Sequence, residues 1–171
     1  RGQDTSVVLD LMIHDIDIIL AIIGSQITDI QATGVNVITS ETDIANARIT
    51  FENGCIVNLT ASRISLKEMR KMRIFQEQSY VNIDFLNKTM EEYEVTQNQD
   101  IDSNAQIFPY DDSGKQFIKY SKNEGSDHNA LLEELKHFID SIQNNTTPEI
   151  NGNIGRDALH VALIIQDKIN E

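Results

Sequence analysis

ARITFENGCIVNLTA, residues Ala47–Ala61, sets the frame for the whole chain. Two alternating segments flank Asn53-Gly54, a strong short-range hairpin signal. A two-residue turn at Asn53-Gly54 would pair Glu52 with Cys55 and Thr50 with Val57, polar against apolar. A three-residue loop, Glu52-Asn53-Gly54, pairs Phe51 with Cys55, Ile49 with Val57 and Ala47 with Leu59, and puts every apolar partner on one face. Since a one-residue slip turns each side chain to the wrong side, the pattern predicts the longer loop, with Gly54 in the left-handed position of a G1 bulge. The opposite face carries Arg48, Thr50, Ile56, Asn58 and Thr60, a semi-polar surface suited to water or to a partner.

Upstream, DLMIHDIDIILAII (Asp10–Ile23) is apolar apart from four residues, and Gly24 stands in the place of a helix C-cap. Ile is a modest helix former, which leaves a strand as the competing reading. The length exceeds that of a usual strand, so the segment predicts a helix. Ile27–Ile38 alternates like a long strand. Downstream, strands are expected at Lys71–Gln76, Tyr80–Leu86 and about Glu91–Val95. Residues 96–115, polar and holding Pro109 and Gly114, read as a long loop, and Phe117–Tyr120 as a short edge strand. Ser126 or Asp127 can cap a helix from about His128 to Gln143, with Leu131, Leu132, Leu135, Phe138, Ile139 and Ile142 as its apolar stripe. A connector with Pro148 leads to a last helix, about Gly155–Ile169, that buries Ala158, Val161, Ala162, Ile165 and Ile169. Helix, run of strands, then two helices is the order of an α+β fold, a mainly antiparallel sheet with helices packed on one face.

Composition narrows the function. The chain has 171 residues, 14 Lys+Arg against 27 Asp+Glu, and a net charge of −13, with 40% hydrophobic residues and 24% charged, a globular balance. Excess acid argues against a nucleic-acid or anionic-membrane partner, since such partners need positive charge. The longest apolar run, Ile18–Ile23, falls far short of the ~20 residues that span a bilayer. With no export signal in view, a cytoplasmic protein is expected. Cys55 is the only cysteine, which excludes an internal disulfide framework and a CxxC site. Asp100–Asn104 imitates the start of a calcium loop, but Ala105 and Asp111 stand where glycine and glutamate are needed, so no metal is expected. Arg1 opens the chain inside what reads as a folded element, as in a fragment of a longer protein.

Asp10, His14 and Asp17, spaced i, i+4 and i+7, predict one stripe of the first helix. Two carboxylates and an imidazole on an otherwise oily helix are costly unless paired or solvated in a cleft. An aspartate one turn from a histidine can hold one ring nitrogen and leave the other for proton transfer near neutral pH. That chemistry suits removal of a hydroxyl proton while hydride leaves the same carbon. The same stripe would also serve as the solvated edge of a surface helix. Farther on, Arg63, Lys67, Arg70, Lys71 and Arg73 place five of the fourteen basic residues within eleven positions. In so acidic a chain this reversal suits a phosphate or diphosphate, with Arg63 and Arg70 as the favoured contacts; a solvated loop paired with neighbouring acids would look the same.

VVLDLMIHDIDIILAIIG (Val7–Gly24) resembles the segment that opens the second domain of the glucose–fructose oxidoreductase / inositol dehydrogenase (Gfo/Idh/MocA) family of NAD(P)-dependent sugar dehydrogenases. TASR (Thr60–Arg63), YVNIDF (Tyr80–Phe85), LLEELKHFIDSI (Leu131–Ile142) and GRDALHVALIIQDKI (Gly155–Ile169) resemble later parts of the same domain. The resemblance covers essentially all residues 1–171, as one substrate-binding and oligomerisation domain. It implies that His14 is the catalytic acid/base, Asp10 its orienter and substrate contact, and Asp17 a sugar contact. It also implies NAD or NADP, bound mainly by an N-terminal dinucleotide-binding domain that these residues lack. No GxGxxG turn and no Glu-Lys-Pro-like catalytic lysine segment is present, so no cofactor-binding residue is expected here and the fragment alone should be inactive. The wording LMIHDIDI, with the basic cluster, looks most like the branch that oxidises the 3-hydroxyl of UDP-N-acetylglucosamine. The expected partners are a sugar or nucleotide-sugar substrate and further copies of the chain, a homo-oligomer joined through the open sheet face. A non-catalytic sugar-sensing or assembly module of the same fold is the alternative.

Overall fold

The structure, a computed structural model, describes residues 4–97, 105–110, 116–125 and 129–171. The chain divides into two compact units, one of residues Arg1–Leu66 with Leu135–Glu171 and one of Lys67–Glu134.

In the first unit, strands β1 (Ile27–Val35), β2 (Ile44–Phe51) and β3 (Ile56–Ser62) form an antiparallel sheet in the order β1-β2-β3. The β2–β3 register is the expected one: Ala47 faces Leu59 and Ile49 faces Val57. The Phe51 N–H donates to the Cys55 carbonyl at 2.9 Å, and Gly54 turns the loop at φ +84°. A π-turn at Val8–Met12 runs into helix α1 (Ile13–Ile23), which ends at left-handed Gly24 as expected. The C-terminal helix α3 (Gly152–Asn170) starts three residues earlier than expected, because Asn151 caps it by accepting the Asn153 N–H. Val8, Met12, Ile16 and Ile19 from the first helical stretch, Ala158, Val161, Ala162 and Ile165 from α3, and Ala45, Ala47, Ile49 and Phe51 from β2 are all buried. Their spacing, period two on the strand and three to four on the helices, is the periodicity from which these elements were expected.

The second unit is a five-stranded antiparallel sheet of β4 (Lys71–Phe75), β5 (Ser79–Asp84), β6 (Thr89–Thr96), β7 (Ala105–Pro109) and β8 (Phe117–Glu124), ordered β4-β5-β6-β8-β7. The expectation of an edge strand at Phe117–Tyr120 fails: β8 is longer and lies between β6 and β7. The true edge, β7, comes from the stretch expected to be loop. It is short and ends in Pro109, which an edge tolerates because it needs no further donor there. Phe75, Tyr80, Tyr93 and Tyr120 stand directly opposite one another on four successive strands, with centroids 5.0, 5.5 and 5.0 Å apart. Asp84 closes the β5–β6 turn. The Asn87 N–H and side-chain amide, each at 3.0 Å, and then the Lys71 ammonium hold its carboxyl down at about 2.

Helix α2 (Ala130–Gln143) forms with the expected stripe. Leu131, Leu132, Leu135, Phe138, Ile139 and Ile142 are between 47 and 64% exposed. Among the described residues Asn129 caps the helix, its side chain accepting the Leu132 N–H; the expected caps Ser126 and Asp127 lie outside the described residues, as does most of the calcium-loop look-alike.

One glycine fixes how closely α3 approaches β1. A Cβ on Gly34 would stand 2.7 Å from the Thr42 methyl and 2.8 Å from the Ile169 Cγ2. Gly34→Ala is therefore expected to lower stability by ~1–3 kcal/mol through overpacking, read as a lower urea midpoint; an unchanged midpoint would contradict this close contact.

Candidate functional site

One knot of contacts that holds the lead-in to the first helix centres on Asp43, a fully buried carboxylate at the foot of β2. Its Oδ2 accepts the backbone N–H groups of Val37, Ile38 and Thr39 at 2.7, 2.7 and 2.9 Å, and its Oδ1 accepts the Thr39 hydroxyl at 2.8 Å. This explains why β1 ends at Val35 and not at Ile38 as expected: the donors of a longer strand are committed to the carboxylate. Burial alone would raise the Asp43 pKa, but the N–H groups of Ile38, Thr39 and Val37 and the Thr39 hydroxyl outweigh it and hold the group well below the usual carboxylate range. The Arg63 Nε lies 3.8 Å from Asp43 Oδ1, and the Arg63 N–H donates to the Asp43 carbonyl at 3.1 Å. Nothing in the sequence marked Asp43; the signal available was the run Thr39-Ser40-Glu41-Thr42-Asp43, residue types that cap and turn.

From this knot, contacts reach the lead-in to the helix. Arg63 Nη2 donates to the Thr5 carbonyl. The Val7 N–H donates to the Thr42 carbonyl at 2.8 Å, and the Ser6 hydroxyl to Gln166 of α3 at 2.6 Å. The Ser6 carbonyl accepts both the Leu9 and Asp10 N–H groups at 3.1 Å, and the Ile13 N–H reaches back five residues to the Val8 carbonyl, which is the π-turn. Asp10 sits in the middle of that widened turn.

Asp10 and His14 are exposed and Asp17 is half-buried, on a stretch whose Val8, Met12, Ile16 and Ile19 are buried. The three groups thus leave the core on the same helical stretch. Among the described residues, however, no hydrogen bond or ion pair joins Asp10 to His14. His14 and Asp17 both lie in α1, where the i, i+3 relation holds.

Arg63 corrects an expectation. Its side chain is only 12% exposed, and its guanidinium is engaged by the Thr5 carbonyl and lies beside Asp43, so it is a structural cation and not a surface presented to a diphosphate. Arg70, in the other unit, is exposed. Its guanidinium carbon lies 4.9 Å from the centre of the Phe85 ring, and its carbonyl accepts the Phe85 N–H at 3.0 Å. A shallow concavity of about 360 Å³ in the same unit is lined by Ile83, Phe85, Met90 and Asn123 among others, and by none of the expected site residues. Among the described residues no group of three or more His, Cys, Asp or Glu could hold a metal ion, and no helix is long and apolar enough to cross a membrane.

A carboxylate held below its unfolded value contributes stability that is fully present above that value, near pH 4, and is lost as pH falls through the folded one. Asp43→Asn is therefore expected to lower the thermal midpoint at pH 7, with the gap to the parent closing as pH falls below about 4. A gap that stays constant from pH 7 to pH 3 would mean that the charge of Asp43 is not what anchors the loop.

Residues 1–81 match the family described as GFO/IDH/MocA C-terminal domain. UDP-N-acetylglucosamine 3-dehydrogenase of Acidithiobacillus ferrooxidans is 32% identical over 166 residues, which is 97% of this chain and 49% of that protein. A solved structure of that organism's UDP-N-acetylglucosamine 3-dehydrogenase GnnA superposes with a TM-score of 0.83 at 31% identity, over 99% of this chain and 50% of that one. An NAD-binding protein from Listeria innocua shares the fold alone, with a TM-score of 0.72 at 15% identity over 98% of this chain and 50% of that one. The chain spans about half the length of the curated relative it matches. The helix–sheet–helix order, the likeness over nearly all its residues and the family match to its first half together show that this chain belongs to the GFO/IDH/MocA family, as its C-terminal domain.

Proposed function

We propose that the polypeptide carrying these residues oxidises a hydroxyl of a nucleotide sugar, UDP-N-acetylglucosamine at C3, with NAD or NADP as hydride acceptor. The observation that supports this reading most is the alignment of 97% of the chain with half of a UDP-N-acetylglucosamine 3-dehydrogenase. An imidazole and two carboxylates on one helical stretch give it a chemical basis.

The described strands pair only antiparallel, and among the described residues no glycine-rich strand-to-helix turn opens a helix. These residues therefore do not fit a dinucleotide, whose phosphates need such a turn. In this reading a separate dinucleotide-binding domain of the same polypeptide holds the cofactor, and the work left to this chain is to bind the sugar and manage its hydroxyl proton. His14 takes that proton on an imidazole nitrogen. Asp10 orients the ring once substrate is bound and contacts the sugar; catalytic hydrogen bonds often tighten only in the substrate complex. Asp17 orders the sugar. The Arg70 guanidinium, exposed and steadied over Phe85, contacts the diphosphate. Copies of the chain associate through the face of the first sheet that carries Thr50, Ile56, Asn58 and Thr60, where Ile56 is 49% exposed; a monomeric mass for the intact protein in light scattering at high concentration would remove that part of the reading.

A positioned acid/base contributes ~10²–10⁴-fold to rate. His14→Ala in the intact protein is accordingly expected to cut kcat by about that factor with circular dichroism unchanged. Arg70→Ala is expected to raise KM for a UDP-sugar far more than for the free sugar. A folded His14→Ala protein with near-normal kcat and rate-limiting chemistry would refute the acid/base role, and equal KM effects on both substrates would make Arg70 structural.

A further inference from the structure

Asn-Gly occurs twice in the chain, as Asn53-Gly54 in the β2–β3 loop and as Asn151-Gly152 where α3 begins. Both glycines are exposed, and a Cβ on either would meet nothing within 4 Å. Before glycine, an asparagine can react with its own main chain, because no side chain on the next residue blocks the approach. The glycine nitrogen forms a bond to the asparagine Cγ, the Cγ–Nδ2 bond breaks, and ammonia leaves with the proton that the glycine nitrogen gives up. Water then opens the cyclic imide at either carbonyl, which leaves aspartate or isoaspartate.

The two sites share one half of this chemistry. Asn53 Oδ1 accepts the Cys55 N–H at 3.1 Å, and Asn151 Oδ1 accepts the Asn153 N–H at 2.9 Å. In each case the donor holds the carboxamide against its own main chain and faces the oxygen on which negative charge grows during the attack.

They differ in the nucleophile. The Gly54 N–H donates to the Phe51 carbonyl at 3.0 Å, so attack must first break the bond that closes the loop. The same loop is tied down by the Asn53 N–H to Ser25 Oγ at 3.2 Å and by the Glu52 N–H to the Gln26 carbonyl at 2.8 Å. The Gly152 N–H instead belongs to the first turn of α3, where a helix supplies no acceptor of its own. The Ile154 and Gly155 N–H groups, at 3.1 and 3.3 Å, hold the Asn151 carbonyl and leave the reacting nitrogen alone. We propose that Asn151 is a self-modification site of the folded protein, converted to aspartate and isoaspartate with the Gly152 nitrogen as nucleophile, while the fold protects Asn53. Isoaspartate adds a carbon to the main chain inside the cap, so the change acts on the start of the helix that buries Ala158, Val161, Ala162 and Ile165. Nothing in this depends on the substrate or on any role of His14.

The test holds the intact polypeptide in mildly alkaline buffer, once folded and once in urea, and follows residues 53 and 151 by peptide mass spectrometry. A hydrogen bond that must be given up before attack slows it by roughly tenfold, so Asn151 in the folded protein is expected to lose its amide about ten times faster than Asn53. In urea the two rates are expected to converge. Equal or faster loss at Asn53 in the folded protein would overturn the proposal. So would loss at Asn151 no faster than at exposed Asn58, which precedes Leu59. A lead for Asn151 that persists undiminished in urea would overturn it too, since the local sequence and not the fold would then be the cause. Gly152→Ala, whose Cβ has room, is expected to fold and to keep the amide at residue 151. A folded G152A protein that converts at the parental rate would remove the glycine nitrogen as nucleophile, and the proposal with it.

Discussion

The buried carboxylate of Asp43 is the constraint on which the first unit depends. Its lone pairs end β1, fold the loop at residues 36–42 back on itself and hold Arg63, and through Arg63 and Thr42 they fix the chain at Thr5 and Val7. A charge buried this deeply is tolerable only when it is surrounded by donors, and here there are three amides, a hydroxyl and a guanidinium nearby. The consequence lies one step along the chain. The lead-in held there runs straight into the π-turn, and Asp10 leaves the core in that turn, at the head of a helix that also carries His14 and Asp17.

This explains why the chemistry of the chain was only half legible in its sequence. The residue types at Asp10, His14 and Asp17 were visible, and so was their common helix, because the apolar positions around them keep a helical period. Their geometry was not visible. A π-turn leaves no periodic mark over five residues, and the Asp43 knot that holds its lead-in lies in another segment. Arg63 misled for the same reason: a cluster of cations in an acidic chain says that negative charge is near, but not whether it is a ligand phosphate or a neighbouring carboxylate. Here it is the Asp43 carboxylate, at 3.8 Å.

The fold divided along similar lines. The Ala47–Ala61 hairpin was readable to the residue because one register alone places all its apolar partners on one side, and α3 was readable because its buried stripe is uninterrupted. β7 was not, since Ala105–Pro109 has neither alternation nor the length of an interior strand. The α2 stripe was readable as a stripe, because its apolar positions keep a helical period, and it stands largely exposed.

In the function proposed above, a helix whose lead-in is held near Asp43 handles the hydroxyl proton while a cofactor carried elsewhere in the polypeptide takes the hydride, both at one carbon. The intact protein supplied with UDP-N-acetylglucosamine deuterated at C3, and followed by nicotinamide absorbance in a single turnover, tests this most directly. The predicted result is slower formation of reduced nicotinamide than with the unlabelled substrate, and no slowing when the deuterium is at C4. Absence of reduced nicotinamide, or an isotope effect at C4 with none at C3, would contradict it.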